Sequence, residues 1–88
     1  MKMIIAILHE QDTDPVSHAL TASDYRVTVI ASTGGFLRKG VSTMLIGVAD
    51  EQVDPALALI RKSIVTPSTP NSTRATIFVI KVDEFTQF

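Results

Sequence analysis

The residues of this 88-residue chain best suited to chemistry concentrate in one stretch, Ala31-Ser32-Thr33-Gly34-Gly35-Phe36-Leu37-Arg38-Lys39-Gly40. Bare glycine amides at Gly34 and Gly35 suit close approach to a phosphate. Phe36 and Leu37 could wall an apolar slot for a base, and Arg38 and Lys39 add positive potential. The same stretch also reads as a tight connection between antiparallel strands, with Gly34 or Gly35 at positive φ and Gly40 closing the turn. That reading needs only one or two glycines and prefers polar residues between them, so Phe36-Leu37 is left over. A Phe-Leu pair packed into a neighbouring subunit is the third possibility.

Catalytic chemistry finds less support. His9 and His18 fall in no metal-binding spacing, because the interval between them spans a strand–helix join. Asp12, Asp14, Asp50, Glu51 and Asp54 cluster where two helices are expected to begin. There the helix dipole favours anions, so capping accounts for them without an acid–base pair. Walker-type, G-x-G-x-x-G and zinc spacings are absent from the sequence. The reading is a non-enzymatic protein, without metal or cofactor.

The totals agree. A net charge of −1 gives no global field for nucleic acid or membrane. The chain contains no cysteine, which excludes a disulfide framework and suits the cytosol. Met1 to Leu8 has too short an apolar core for a signal peptide, and His9-Glu10 follows at once. A chain this small buries a modest share of its surface, so a partner subunit would help stabilise it.

The elements that would position these residues follow from pattern. Residues 3–8 form a β-branched apolar run, a strand covered on both faces. Asp14-Pro15 reads as N-cap and first helical residue of a helix reaching about Ser23. Tyr25 to Ser32 alternates as a second strand, with Val27 and Val29 on one face and Arg26, Thr28 and Ile30 on the other. Ser42 to Ala49 is a third strand. Asp54-Pro55 starts a second helix, with Leu57, Ile60, Arg61 and Ile64 in line. Thr66 to Arg74 is a loop, and Ala75 to Val82 is the last strand. Residues 1–88 thus read as a single α+β domain, a ferredoxin-like βαββαβ sandwich with a four-stranded antiparallel sheet and two helices on one face. Two helices cover only one face. The last strand is nonetheless apolar on both, Ile77 and Val79 against Phe78 and Ile80, so the open face is expected to pack against other copies of the chain.

At the glycine stretch the sequence resembles the PII-like cyclic di-AMP receptor family, of the PstA/DarA type. The resemblance rests on the opening MKMIIAI, the central TGGFL with RKG behind it, Gly47-Val48, and the closing FVIKVDEFTQF, in order and at matching spacing over nearly the whole chain. It implies a signalling homotrimer that holds the cyclic dinucleotide in clefts between subunits and passes the signal to a downstream protein. Carried over by position, the Arg26 backbone and Thr28 would lie beside one adenine. Gly35, Phe36 and Leu37 would meet the ligand through amides and apolar contact, and Gly47 would leave room on the third strand. Phe78 and Gln87 would approach the same cleft, the Gln87 amide reading a base edge. Val41 stands where the family usually has an asparagine whose amide helps recognise adenine. The loop before the last strand, TPSTPNSTR, is shorter than usual. The alternative function is a divergent PII-like trimer that binds another ligand, or none, and acts as a protein-interaction scaffold. A small ferredoxin-like enzyme using His9 or a nearby aspartate is the third.

Overall fold

In the computed structural model, which describes residues 1–31, 40–70 and 72–88, the chain alternates strands and helices in two similar halves. The first half is β1 (Lys2–His9), a 3-10 turn (Glu10–Asp12), α1 (Thr13–Ala22) and β2 (Arg26–Ala31). The second is β3 (Val41–Val48), a 3-10 turn (Asp50–Gln52), α2 (Val53–Ser63) and β4 (Ala75–Lys81). The strands form one antiparallel sheet in the order β2-β3-β1-β4. This is the ferredoxin-like α+β arrangement expected from the sequence.

Why these residues take up these positions is clearest in the core. Ile4, Ala6, Leu8, Val16 and Leu20 are buried in the first half, and Met44, Ile46, Val48, Ala56 and Ile60 in the second. Each residue of the first set matches one of the second at a displacement of 40, so the two halves bury equivalent positions. The strand members alternate, because successive side chains leave a strand on opposite faces. The helix members recur four apart, which is one face of an α-helix. The core is aliphatic. Along α2 the buried stripe runs through Ala56 and Ile60, flanked by Val53, Leu57, Leu59 and Ile64. Arg61, placed in that line from sequence, is exposed.

Both helices begin a little earlier than their Asp-Pro pairs suggest. Thr13 and Val53 are the first helical residues, so Pro15 and Pro55 stand third. Proline is tolerated there because the first four amides of a helix lack intrahelical acceptors. Neither helix has a side-chain cap hydrogen bond, so Asp14 and Asp54 are first-turn anions and not caps.

The face away from the helices is read from the register. Thr28, Leu45, Ile5 and Phe78 are successive partners across the sheet. Arg26, Gly47, Met3 and Ile80 form the next row toward the end where β1 begins. Ile30, Phe78 and Ile80 on this face are about half exposed, at 42%, 50% and 42%. The apolar open face expected from the sequence is therefore present on the chain.

Candidate ligand-binding site

The candidate residues outside the glycine stretch fall into three groups. Arg26, Gly47 and Gln87 meet at one end of the sheet. Arg26 is the first residue of β2 and pairs with Gly47 on β3. Its backbone direction is set by the end of α1, where the Tyr25 amide donates to the Leu20 carbonyl (3.0 Å) and the Asp24 amide to Thr21 (3.0 Å). These two bonds make a Schellman motif, with Asp24 in the left-handed conformation at φ 67°. The motif turns the chain out of the helix and straight into the strand that carries Arg26 and Thr28.

Gly47 adds no side chain to the row between Arg26 and Met3, and Met1 reaches into the gap this leaves. A methyl group placed there would stand 3.2 Å from the Met1 terminal methyl. An open cavity of about 400 Å³ lies beside the gap, lined by Ser23 to Arg26, Gly47 to Ala49 and Gln52. A second, of about 490 Å³, adjoins it along Met1 and residues 47–51. The local charge is mixed. The Met1 amino group lies 3.0 Å from the Asp50 carboxylate, and this hydrogen bond, together with its positive charge, holds the Asp50 pKa below the usual carboxylate value.

Gln87 reaches this end from far along the chain. The Val82 amide donates to the Met1 carbonyl at 3.0 Å, which ties the start of the tail to the β1–β4 end of the sheet. Five residues later the Arg26 guanidinium donates to Gln87 Oε1 at 3.2 Å. The two outer strands are three spacings apart, about 14 Å. Five residue steps reach roughly 17 Å, enough for the tail to cross the strand ends. Phe85 and Phe88 on either side of Gln87 are exposed.

Thr28 and Phe78 share a row but not an edge. Thr28 is on β2 and Phe78 on β4, with β3 and β1 between them. Within one chain the two side chains are separated by three strand spacings, about 14 Å. Val41 opens β3 at the other end of the open face, half-buried and opposite His9. Gly35, Phe36 and Leu37, with Gly34, Arg38 and Lys39, lie outside the described residues. Gly40 is described and has φ +85°, as expected of the residue closing that connection.

The opposite end of the molecule is built differently. Asp12 is fully buried and accepts hydrogen bonds from the amides of Val65 (2.9 Å) and Thr66 (3.0 Å) and from the Thr66 hydroxyl (2.6 Å). Gln11 Nε2 donates to the same hydroxyl oxygen at 2.8 Å. His9 Nε2 lies 3.1 Å from the Thr73 carbonyl, which can only accept, so that nitrogen carries the proton. These contacts fasten the segment after α2 to the turn after β1. They border an open cavity of about 610 Å³, but its His9 Nε2 and Gln11 Nε2 are already engaged within the chain.

Sequence reasoning assigned Arg26 through its backbone and missed the guanidinium contact to Gln87. It also read Asp12 as a helix-start anion and missed its bonds to residues 65 and 66. No local pattern signals either contact, since the partners lie 61 and more than 50 positions apart.

Residues 1–75 match the family model described as cyclic-di-AMP receptor. The chain belongs to this receptor family. The match takes in Arg26, Thr28, Val41 and Gly47, and it ends at the start of β4, before Phe78 and Gln87. Among solved structures, the receptor chain is similar to a functionally unknown protein from Pediococcus pentosaceus. That likeness has a TM-score of 0.78 and 34% identity, and covers 99% of this chain and 96% of the other. It extends the resemblance through β4 and the tail. Among the described residues of this family member, no helix is long and apolar enough to cross a membrane.

Proposed function

We propose that the chain is a cytosolic, non-catalytic signalling receptor that binds cyclic di-AMP in clefts between the subunits of a homotrimer. The membership of a cyclic-di-AMP receptor family carries this reading. The open face supports the assembly. A sheet face bearing Met3, Ile5, Leu45, Phe78 and Ile80 gains by being covered, at about 25 cal/mol per Å² of apolar area removed from water. Thr28 and Phe78 lie on opposite edges, so one pocket using both must take them from different subunits. Arg26 and Gly47, with Thr28 one row away, form one wall, and Phe78 of a neighbouring copy forms the other. Gly35, Phe36 and Leu37 complete the binding set as the family resemblance has it. Ligand binding then biases the loops at these clefts, and a downstream protein reads the change.

Val41 favours a second reading at its own position. A valine side chain offers an adenine no hydrogen bond, which suits a trimer whose ligand differs from cyclic di-AMP. Isothermal titration of the purified protein with cyclic di-AMP, alongside cyclic di-GMP, ATP and AMP, separates the two. Selective uptake near one cyclic di-AMP per subunit, on a protein of trimeric mass by light scattering, is the expected result. A trimer that takes up none of them would transfer the assignment to the second reading.

A further inference from the structure

Arg26 and Gln87 carry an inference that rests on the receptor reading and goes beyond it. A guanidinium has only donors, so the Gln87 atom facing it is necessarily the carbonyl oxygen. The contact therefore fixes which way round the amide stands. Its NH2 is turned away from Arg26 and, among the described residues, makes no hydrogen bond. The oxygen keeps a second lone pair. We infer that Arg26 is a positioning residue. It pins the tail across the strand ends and presents Gln87 as a donor beside an acceptor, the complement of a base edge with a ring-nitrogen acceptor beside an amino donor.

Adenine has such an edge, N7 beside N6–H2, and guanine presents two acceptors, N7 and O6, at the same place. An amide free to turn or withdraw can avoid a mismatch with guanine. One held by Arg26 keeps its oxygen in position and meets O6 with a lone pair. The tail around it is otherwise exposed, with Phe85 and Phe88 uncovered, and among the described residues the side-chain tie on Gln87 is this guanidinium. Selectivity for adenine thus depends on a residue that touches the base through another residue.

The test uses the full chain with Arg26→Met, Arg26→Lys and Gln87→Glu, read by titration with cyclic di-AMP and cyclic di-GMP and by ¹⁵N relaxation of residues 83–88. Arg26→Met should loosen the tail, weaken cyclic di-AMP about tenfold, and narrow its preference over cyclic di-GMP, with the thermal midpoint unchanged. Arg26→Lys, which keeps a donor, should restore part of both effects. Gln87→Glu should leave the tail as ordered as in the parent, because a carboxylate also accepts from Arg26. It should lose at least tenfold in cyclic di-AMP affinity, because it has no donor. Unchanged affinity and tail order in Arg26→Met, on a parent that binds cyclic di-AMP, would overturn the role of Arg26 alone. Full affinity in Gln87→Glu would overturn the use of the amide's donors. A parent that binds no dinucleotide would overturn the receptor reading and the recognition role together, and tail order in Arg26→Met would still report on the pin.

Discussion

The two halves of the molecule solve the same joint in unequal ways. Asp12 and Gln52 are equivalent positions, each ending a 3-10 turn just before a helix, and each reaches the segment that follows the other half's helix. Asp12 is buried and accepts three hydrogen bonds from Val65 and Thr66. Gln52 is exposed and accepts one, from the Tyr25 hydroxyl at 2.9 Å. A buried carboxylate with its donors satisfied is a strong tie, and losing it strands those donors. A single exposed hydrogen bond between two neutral side chains competes with water and is worth little. The firm joint lies at the end where β1 finishes. The light joint lies beside Arg26 and Gly47, where the candidate site is. The contrast is one of burial: the joint beside the candidate site is tied by an exposed side-chain contact, the other by a buried carboxylate.

Asp12→Ala tests the firm joint and should have the largest effect. It removes three bonds and leaves two part-buried amides without acceptors, so a loss of about 3 kcal/mol is expected in urea unfolding. A loss no larger than that of an exposed hydrogen bond would erase the contrast. Gly40→Ala acts at the same end, where Gly40 has φ +85° and its carbonyl accepts from the Glu10 amide at 2.8 Å. Among the described residues nothing crowds the added methyl, so the expected cost of about 1–2 kcal/mol is backbone strain. Thermal melting of Gly40→Ala against Gly40→Asn, which tolerates this conformation better, isolates it.

At the light joint the effects are smaller, and one changes sign. Asp24 stands at positive φ and puts a negative charge at the C-terminus of α1, where the dipole disfavours it. Asp24→Gly should therefore stabilise the chain, by about 1 kcal/mol. A destabilised variant would mean that Asp24 contributes a contact at this end, making the two ends more alike. Tyr25→Phe should be the smallest, less than about 0.5 kcal/mol, since only the exposed bond to Gln52 is lost. Differential scanning calorimetry of this variant beside Asp12→Ala measures the asymmetry directly.

Much of the site's framework was legible in the sequence. The alternation Arg26, Val27, Thr28, Val29 put Thr28 on the face away from the helices. The register agrees, since Val27 meets buried Ile46 and Thr28 meets Leu45. The resemblance added Gly47 and Gln87, and the structure brings both to Arg26 at one end of the sheet. Asp14 and Asp54 were misread as caps because Asp-Pro is a local signal, and the actual helix starts are set by the turn before them. Phe78 was expected at the same inter-subunit cleft as Thr28, and within one chain strand order puts the two on opposite edges of the sheet.

Element order, the two buried faces and the repeated halves were determined by the sequence alone, because each follows from periodicity and turn chemistry within a dozen residues. Only the tertiary structure decided that Asp12 holds residues 65 and 66, that Arg26 holds Gln87, and that Thr28 and Phe78 occupy opposite edges. Those contacts depend on how antiparallel pairing orders the strands and where the tail is carried afterwards. Hydrogen bonds between residues more than 50 positions apart leave no trace in local pattern.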